Sequence, residues 1–292
     1  KTLALKRTKE NNKATTPFCS FSITDDPATQ LKIANISCKD SNKISYVKEN
    51  YLKNTKHTKP RVAYLSYDFH DHATMHLMAG IFEHQDNSKF DYYAFSYSDE
   101  PTNQSNIYNR VRKSFQNFDL VTEKKDNIIC KMLKDKEIDI IVDLKGHTLK
   151  TRMSLLANGP CPIQVTFLGH PGTTGTNYID YAIADNFIVN KENESFFSEK
   201  ILRLPNCYQP TDNKRYYPNT TLSKKDLGLP ENKFIFCSFN SPYKIQPEIF
   251  NIWIDILKSK HNSVLWLLAD EKSESVKNIL EYARERGVAS NR

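Results

Sequence analysis

A chain of 292 residues is long enough for two α/β domains, each burying its own core. With 39% hydrophobic residues, 26% charged residues and a mean hydropathy of -0.61, its composition is that of a globular protein, and its longest apolar runs, such as 264–269, are too short to cross a bilayer. The net charge of +7 comes from lysines interleaved with Asp and Glu. Without an aromatic-plus-basic motif it reads as solvated surface, so no nucleic-acid or membrane partner is expected.

The richest basic stretch, Lys1–Lys13, holds five basic residues and runs into polar sequence with no signal-peptide core. Six cysteines (Cys19, Cys38, Cys130, Cys161, Cys207, Cys237) are scattered without a close pair. That spacing speaks against a zinc ribbon or redox pair and for free thiols in the cytoplasm. Residues 1–60 are rich in Lys, Asn and Thr, with short helices expected near Pro27–Ala34 and Ile44–Leu52. They read as a linker or helical remnant ahead of the main domain.

The pattern sharpens at Pro60. Strands are expected over Arg61–Ser66 and Phe90–Tyr97, with a helix at His72–Glu83 between them, where Leu77, Met78, Ile81 and Phe82 have helical spacing. A helix at Ser105–Phe115, a strand near Phe118–Val121 and a helix at Asn127–Lys134 follow. The strand Ile138–Leu144 is apolar on both faces, as a buried parallel strand should be. Ile163–Leu168, Tyr178–Ala184 and Lys200–Leu204 continue the strands. Alternation at this interval implies an α/β fold with a doubly wound, Rossmann-like domain over 61–215. After the polar connection Pro210–Pro230, a second alternation begins within 216–292. It comprises strand Phe234–Phe239, helix Pro247–Lys258, strand Ser263–Leu268 and helix Ser273–Arg286, and reads as the start of a second Rossmann-like domain, incompletely covered.

Ligands of open α/β sheets bind beyond the carboxyl ends of the strands, so the loops there are the places to search. Ser66–His76 gathers three histidines and two aspartates at a helix start. Three readings stand open for it. One places an imidazole and backbone N–H groups over a phosphate or sugar. Another is a plain helix cap with Asp71 as N-cap. The third is a metal site on His70, His72 and His76. Asp143–Thr148 follows the buried strand. Leu168–Gly175 is a Gly-rich loop whose backbone allows close approach to a ligand, although such a turn is often structural. In Phe239–Lys244, Lys244 precedes a helix N-terminus, an arrangement that suits a diphosphate; a solvated lysine is the plain alternative.

Taken in order, these segments resemble the catalytic region of the O-linked N-acetylglucosamine transferases and their SPINDLY-type relatives. The matching stretches are Arg61–Met78, Asp143–Thr148, Pro160–Gly175 with Asp180-Tyr181, Ser198–Pro205, Cys207–Pro210, Phe236–Ile245 and Ser263–Leu268. Pro17–Ala34 is similar to the segment joining that family's tetratricopeptide repeats to its core. The resemblance implies a GT-B architecture and an inverting transfer from UDP-N-acetylglucosamine to Ser or Thr hydroxyls of acceptor proteins, with no cofactor and no divalent metal. A SPINDLY-type fucosyltransferase and an inactive nucleotide- or protein-binding module are the alternatives.

By the same resemblance, His72 belongs to the active site, with a role as catalytic base proposed for its counterpart, and Lys244 contacts the diphosphate. Leu168, Gly169 and Pro171 lie against the sugar. Asp68, His76, His147, Thr148, His170, Gly172, Thr173, Asn240, Ser241 and Tyr243 complete the expected binding set. His147 and His170 stand where many relatives carry Tyr, and Leu149-Lys150 replaces an expected Gly. The family's Gly-His-Thr-Thr stretch and its repeat array are not among these residues, so a fragment with the fold and little activity of its own is expected.

Overall fold

The structure is a computed structural model that describes residues 1–43, 57–99, 105–215, 217–268, 270 and 273–292. The helix expected over Ile44–Leu52 lies outside the described residues. The chain divides into two compact units, residues 1–216 and 217–292.

The first unit is built on seven parallel strands: β1 (Arg61–Ser66), β2 (Asp91–Ser96), β3 (Asn117–Leu120), β4 (Ile140–Asp143), β5 (Ile163–Thr166), β6 (Tyr181–Ala184) and β7 (Lys200–Arg203). Their order in space is β3-β2-β1-β4-β5-β6-β7. The chain therefore winds outward from β1 to β3, returns to the middle, and winds the other way from β4. The carboxyl ends of β1 and β4 flank the point of reversal, where a crevice opens in such sheets.

Helices cover both faces, because the strands are apolar on both. On one face α4 (Ala73–Glu83) and α5 (Asn106–Lys113) bury Met75, Met78, Ala79, Phe82, Ile107 and Val111 against Val62, Ala94 and Val142. The spacing 75, 78, 79, 82 is one helical stripe. On the other face α6 (Asp126–Asp135) and the single turn α7 (Met153–Leu156) set Ile129, Leu133, Leu155 and Leu156 against Ala63, Leu65 and Ile141. Neighbours along β1 thus point to opposite cores. Truncating Phe82, which is fully buried, to Ala should cost about 3–5 kcal/mol.

Residues 1–43 do not form a separate linker, as their composition suggested; they belong to the first unit. They carry α1 (Thr2–Lys9), α2 (Pro17–Ser20) and α3 (Pro27–Ser37). α3 starts where Asp26 accepts a 2.9 Å bond from the Thr29 N–H, with Pro27 at the first helical position. The residues just after it are tied to the loop between β5 and β6. Asn42 donates to the Gly175 carbonyl at 3.0 Å, and Tyr178 to Ser41 at 3.2 Å. A Cβ at Gly175 would lie 2.6 Å from the backbone of Ala34, and the residue takes φ +66°, so the position needs glycine.

Several strands end earlier than apolarity suggests. β5 stops at Thr166, and Leu168 leaves the ladder with φ +69°. Tyr178 and Ile179 are buried before β6 begins, packing into the core without pairing.

In the second unit, β8 (Phe234–Ser238) and β9 (Ser263–Leu267) pair in parallel, joined by α8 (Pro247–Ser259) and followed by α9 (Glu274–Glu285). Phe250, Ile254, Leu257, Ala283 and Val288 make a small core. Phe234, Phe239, Ile252 and Leu268 stay largely exposed.

Candidate functional site

Beyond the carboxyl ends of β1, β4 and β5, three loops of the first unit are tied together. Asp68, in the loop after β1, is buried, and its carboxylate accepts two bonds from the Lys145 ammonium at 2.7 and 2.9 Å. The Thr74 hydroxyl donates to the same carboxylate at 3.2 Å. A buried charge survives only when paired in this way.

His72 is the residue before α4 and caps it: its Nδ1 accepts the backbone N–H of Thr74 at 3.2 Å. Asp71, the cap in one of the three sequence readings, instead takes a 2.8 Å bond from His76 Nε2. The third histidine of the run, His70, has its Nδ1 3.1 Å from the Tyr67 carbonyl oxygen. The three imidazoles thus turn to three different partners. Among the described residues no three His, Cys, Asp or Glu side chains are grouped to hold a metal ion. Burial pushes the His72 imidazole below its ordinary pKa, the Asp68 carboxylate opposes that, and the Lys145 charge adds to it.

β4 ends at Asp143, whose buried carboxylate accepts the backbone N–H groups of Lys145 (3.3 Å) and Gly146 (2.6 Å) and so folds the next turn. Burial raises its pKa to about 6, against the pull of those N–H bonds. The Thr148 hydroxyl closes the turn on the Lys145 carbonyl at 2.9 Å. His147 leaves the turn to donate from Nε2 to the Thr174 carbonyl at 2.7 Å, and its ring meets that of His170 edge-on at 5.2 Å.

The Gly-rich loop rests directly on this turn. A Cβ at Gly169 would lie 2.1 Å from the Leu144 carbonyl oxygen, so only glycine fits. His170 is buried between His147 and Phe21; burial lowers its pKa to about 3, and its Nδ1 has no hydrogen-bond partner among the described residues. Leu168 and Gly172 are half-buried and Pro171 is exposed. Thr173 and Thr174 turn inward to Glu199. The Thr173 hydroxyl lies 2.9 Å from that carboxylate, the Thr174 N–H 2.7 Å, and the Thr174 hydroxyl bonds it as well. A cavity of about 660 Å³ opens beside this cluster, between Phe18 and Cys19 of α2, Cys38, and the segment His147–Lys150.

The first unit therefore gathers Asp68, His72, His147, Thr148 and Leu168–Thr173 on one edge, with His76 one turn into α4. The remaining expected residues lie in the second unit, in the connection from β8 to α8. Asn240, Ser241, Tyr243 and Lys244 are all exposed there. Pro242–Lys244 forms a 3₁₀ turn, and the Lys244 ammonium has no ion-pair partner among the described residues. α8 starts with Pro247 at its first position and no side-chain cap, leaving its first N–H groups open.

Sequence reasoning missed Lys145, Glu199 and Phe21. Each lies inside a matching stretch. Lys145 carries the one readable signal, a basic residue just beyond the apolar strand that ends at Asp143.

A doubly wound parallel sheet with its loops gathered at the reversal point, followed by a second βαβα unit, defines an α/β protein of the GT-B class. The chain belongs to glycosyl transferase family 41, which matches residues 23–225 and 218–292. It is similar to a probable UDP-N-acetylglucosamine–peptide N-acetylglucosaminyltransferase, SEC, of Arabidopsis thaliana, at 37% identity over 78% of this chain and 24% of that protein. The SPINDLY protein of the same plant, which bears the same description, is 31% identical over 70% of this chain and 22% of its own length. A mutant O-GlcNAc transferase of Thermobaculum terrenum shares the fold, with TM-score 0.79 and 21% identity over 94% of this chain and 52% of that one. The chain thus spans about a quarter of the curated relatives' length. No helix among the described residues is long and apolar enough to cross a membrane.

Proposed function

We propose that this chain is part of the catalytic region of an inverting glycosyltransferase that moves N-acetylglucosamine from UDP-N-acetylglucosamine to Ser and Thr hydroxyls of proteins. The observation that carries the reading is the family match from residue 23 to residue 292, across both units. The names of the SEC and SPINDLY relatives both carry this donor, which supports N-acetylglucosamine over fucose. The six free cysteines are in keeping with a cytoplasmic location.

In this reading the acceptor oxygen attacks the anomeric carbon while UDP leaves from the opposite face, through an oxocarbenium-like transition state. Negative charge grows on the departing diphosphate. Lys244 and the open N–H groups of α8 supply positive charge there, so no metal is called for. The sugar lies against Leu168, Gly169 and Pro171, while Asp68, His76, His147, Thr148, His170, Gly172 and Thr173 shape that edge. Asn240, Ser241 and Tyr243 line the nucleotide side. His72 contacts the acceptor, to orient it or to take its proton.

Titration calorimetry of UDP and UDP-N-acetylglucosamine tests this. Binding that weakens at least tenfold in Lys244→Ala is the expected result. Folded protein that gives no heat with either nucleotide would overturn the reading.

A further inference from the structure

His72 offers two chemistries, and the hydrogen bonds around it choose between them. A general base acting at Nε2 needs its lone pair on that atom, so the ring proton must sit on Nδ1. Here Nδ1 faces the backbone N–H of Thr74 at 3.2 Å. That proton is fixed by the peptide plane and cannot turn away, unlike the Thr74 hydroxyl proton, which can serve either Nδ1 (3.1 Å) or Asp68 Oδ2 (3.2 Å). A proton on Nδ1 would confront the amide hydrogen and lose the cap of α4.

The Thr74 Oγ1, 3.1 Å away, could accept such a proton, but the Thr74 amide hydrogen would still point at the same Nδ1. The nearest carboxylate oxygen, Asp68 Oδ2, is 3.4 Å away. It already takes a 2.9 Å bond from Lys145 and the Thr74 hydroxyl, which fills the two lone pairs a carboxylate oxygen offers. Lys145 also offsets the charge through which Asp68 would make the imidazole more basic. A His–Asp dyad of the kind that activates a nucleophile is thereby closed off. Nε2, by contrast, has no hydrogen-bond partner among the described residues, and the side chain is 42% exposed.

We propose that His72 is held as the neutral tautomer protonated on Nε2, and that it serves as a hydrogen-bond donor toward a substrate oxygen instead of taking up the acceptor's proton. The tautomer follows from geometry alone; only the identity of the oxygen rests on the transferase reading above. The other groups facing the ring are His70, whose ring centroid is 5.5 Å away, and His76. Both lower its proton affinity, as burial does, so the neutral form persists through physiological pH.

Long-range proton–nitrogen NMR of the chain labelled with ¹⁵N-histidine reads the tautomer directly, with His72→Gln assigning the signal by its loss. A bare Nδ1 and a protonated Nε2 at pH 7.5 are expected. A proton on Nδ1, in either the neutral or the charged ring, overturns the proposal. Thr74→Val keeps the amide and removes the hydroxyl, and the His72 pattern should survive it; a switch to the Nδ1 tautomer would mean that the amide does not set the state. With UDP-N-acetylglucosamine bound by calorimetry, the Nε2–H resonance should shift. An unmoved resonance would overturn the donor role and leave the functional reading standing. Absence of nucleotide binding would defeat the functional reading alone, since the tautomer is read in the free chain.

Discussion

The two regions expected to meet the donor are built in opposite ways. At the edge of the first unit nearly every polar group has a protein partner: Asp68 with Lys145, Asp143 with its own turn, Thr173 and Thr174 with Glu199. In the second unit, Phe239–Lys244 is exposed, and Lys244 has no ion-pair partner among the described residues. The first arrangement fixes a surface before anything binds. The second leaves a cation and a set of helix N–H groups whose natural partner is an anion from outside. Substitutions in the first region should therefore register as lost stability, and those in the second as lost binding.

The largest effect is expected at Gly169. A methyl group there would lie 2.1 Å from a backbone oxygen, so the β4 and β5 loops must separate. Gly169→Ala should cost about 4 kcal/mol, at the upper end of single substitutions, read from the urea midpoint. A loss below 1 kcal/mol would show that the loops are not held against each other.

Glu199→Gln should come next. The carboxylate is buried and serves three donors from Thr173 and Thr174. A carboxamide offers one acceptor oxygen and, in place of the other, an NH2 with two donors facing donors, for a loss of about 3 kcal/mol. If stability holds while nucleotide binding falls, Glu199 acts on the ligand and not on the loop.

How much of this could be read from residue order depends on the distance over which each contact closes. The strands, the longer helices after residue 60 and the loops after β1, β4 and β5 follow from local periodicity, because burial on one or two faces is written into neighbouring residues, whereas α1, α2 and the single turn α7 were not expected. The glycines of Leu168–Gly175 were legible as a tight loop, but not that Gly169 presses on Leu144, 25 positions earlier. Lys145 meets Asp68 across 77 positions. No periodicity encodes such a pair, and it appears only when β1 and β4 become neighbours. The packing of α3 on Gly175 was hidden in the same way. At His72 the miss was local: Asp71 is the better cap by residue type, yet its bond to His76 leaves the imidazole to take that place.

The end of the first unit supplies an intermediate case. Arg110 bonds both Glu83 and Asp212, fastening the segment that leads toward the second unit. Arg110 first, then Lys214, holds the Glu83 carboxyl down to about 2, and Arg110 lowers Asp212 also. Depressed carboxyls add stability that is complete above about pH 4.5 and is lost as pH falls toward 2. Arg110→Met should cost about 2 kcal/mol at pH 6. The gap from the parent should narrow between pH 4.5 and 2, followed by circular dichroism in urea. A gap independent of pH would assign the arginine's contribution to packing.

The smallest change in stability belongs to Lys244, and it sharpens the comparison most. An exposed ammonium with no ion-pair partner contributes little to folding, so Lys244→Ala should stay within about 0.5 kcal/mol of the parent. On the proposed reading, in which the cation and the α8 N–H groups act together on one diphosphate, its affinity for UDP should nevertheless fall at least tenfold. Lys244→Arg separates charge from shape: it keeps the charge but spreads it over a planar fork, so partial binding should return if charge is what the site requires. Should Lys244→Ala unfold the second unit, the lysine would be structural, and the contrast between a prebuilt edge and an open, ligand-completed loop would fail at its clearest point.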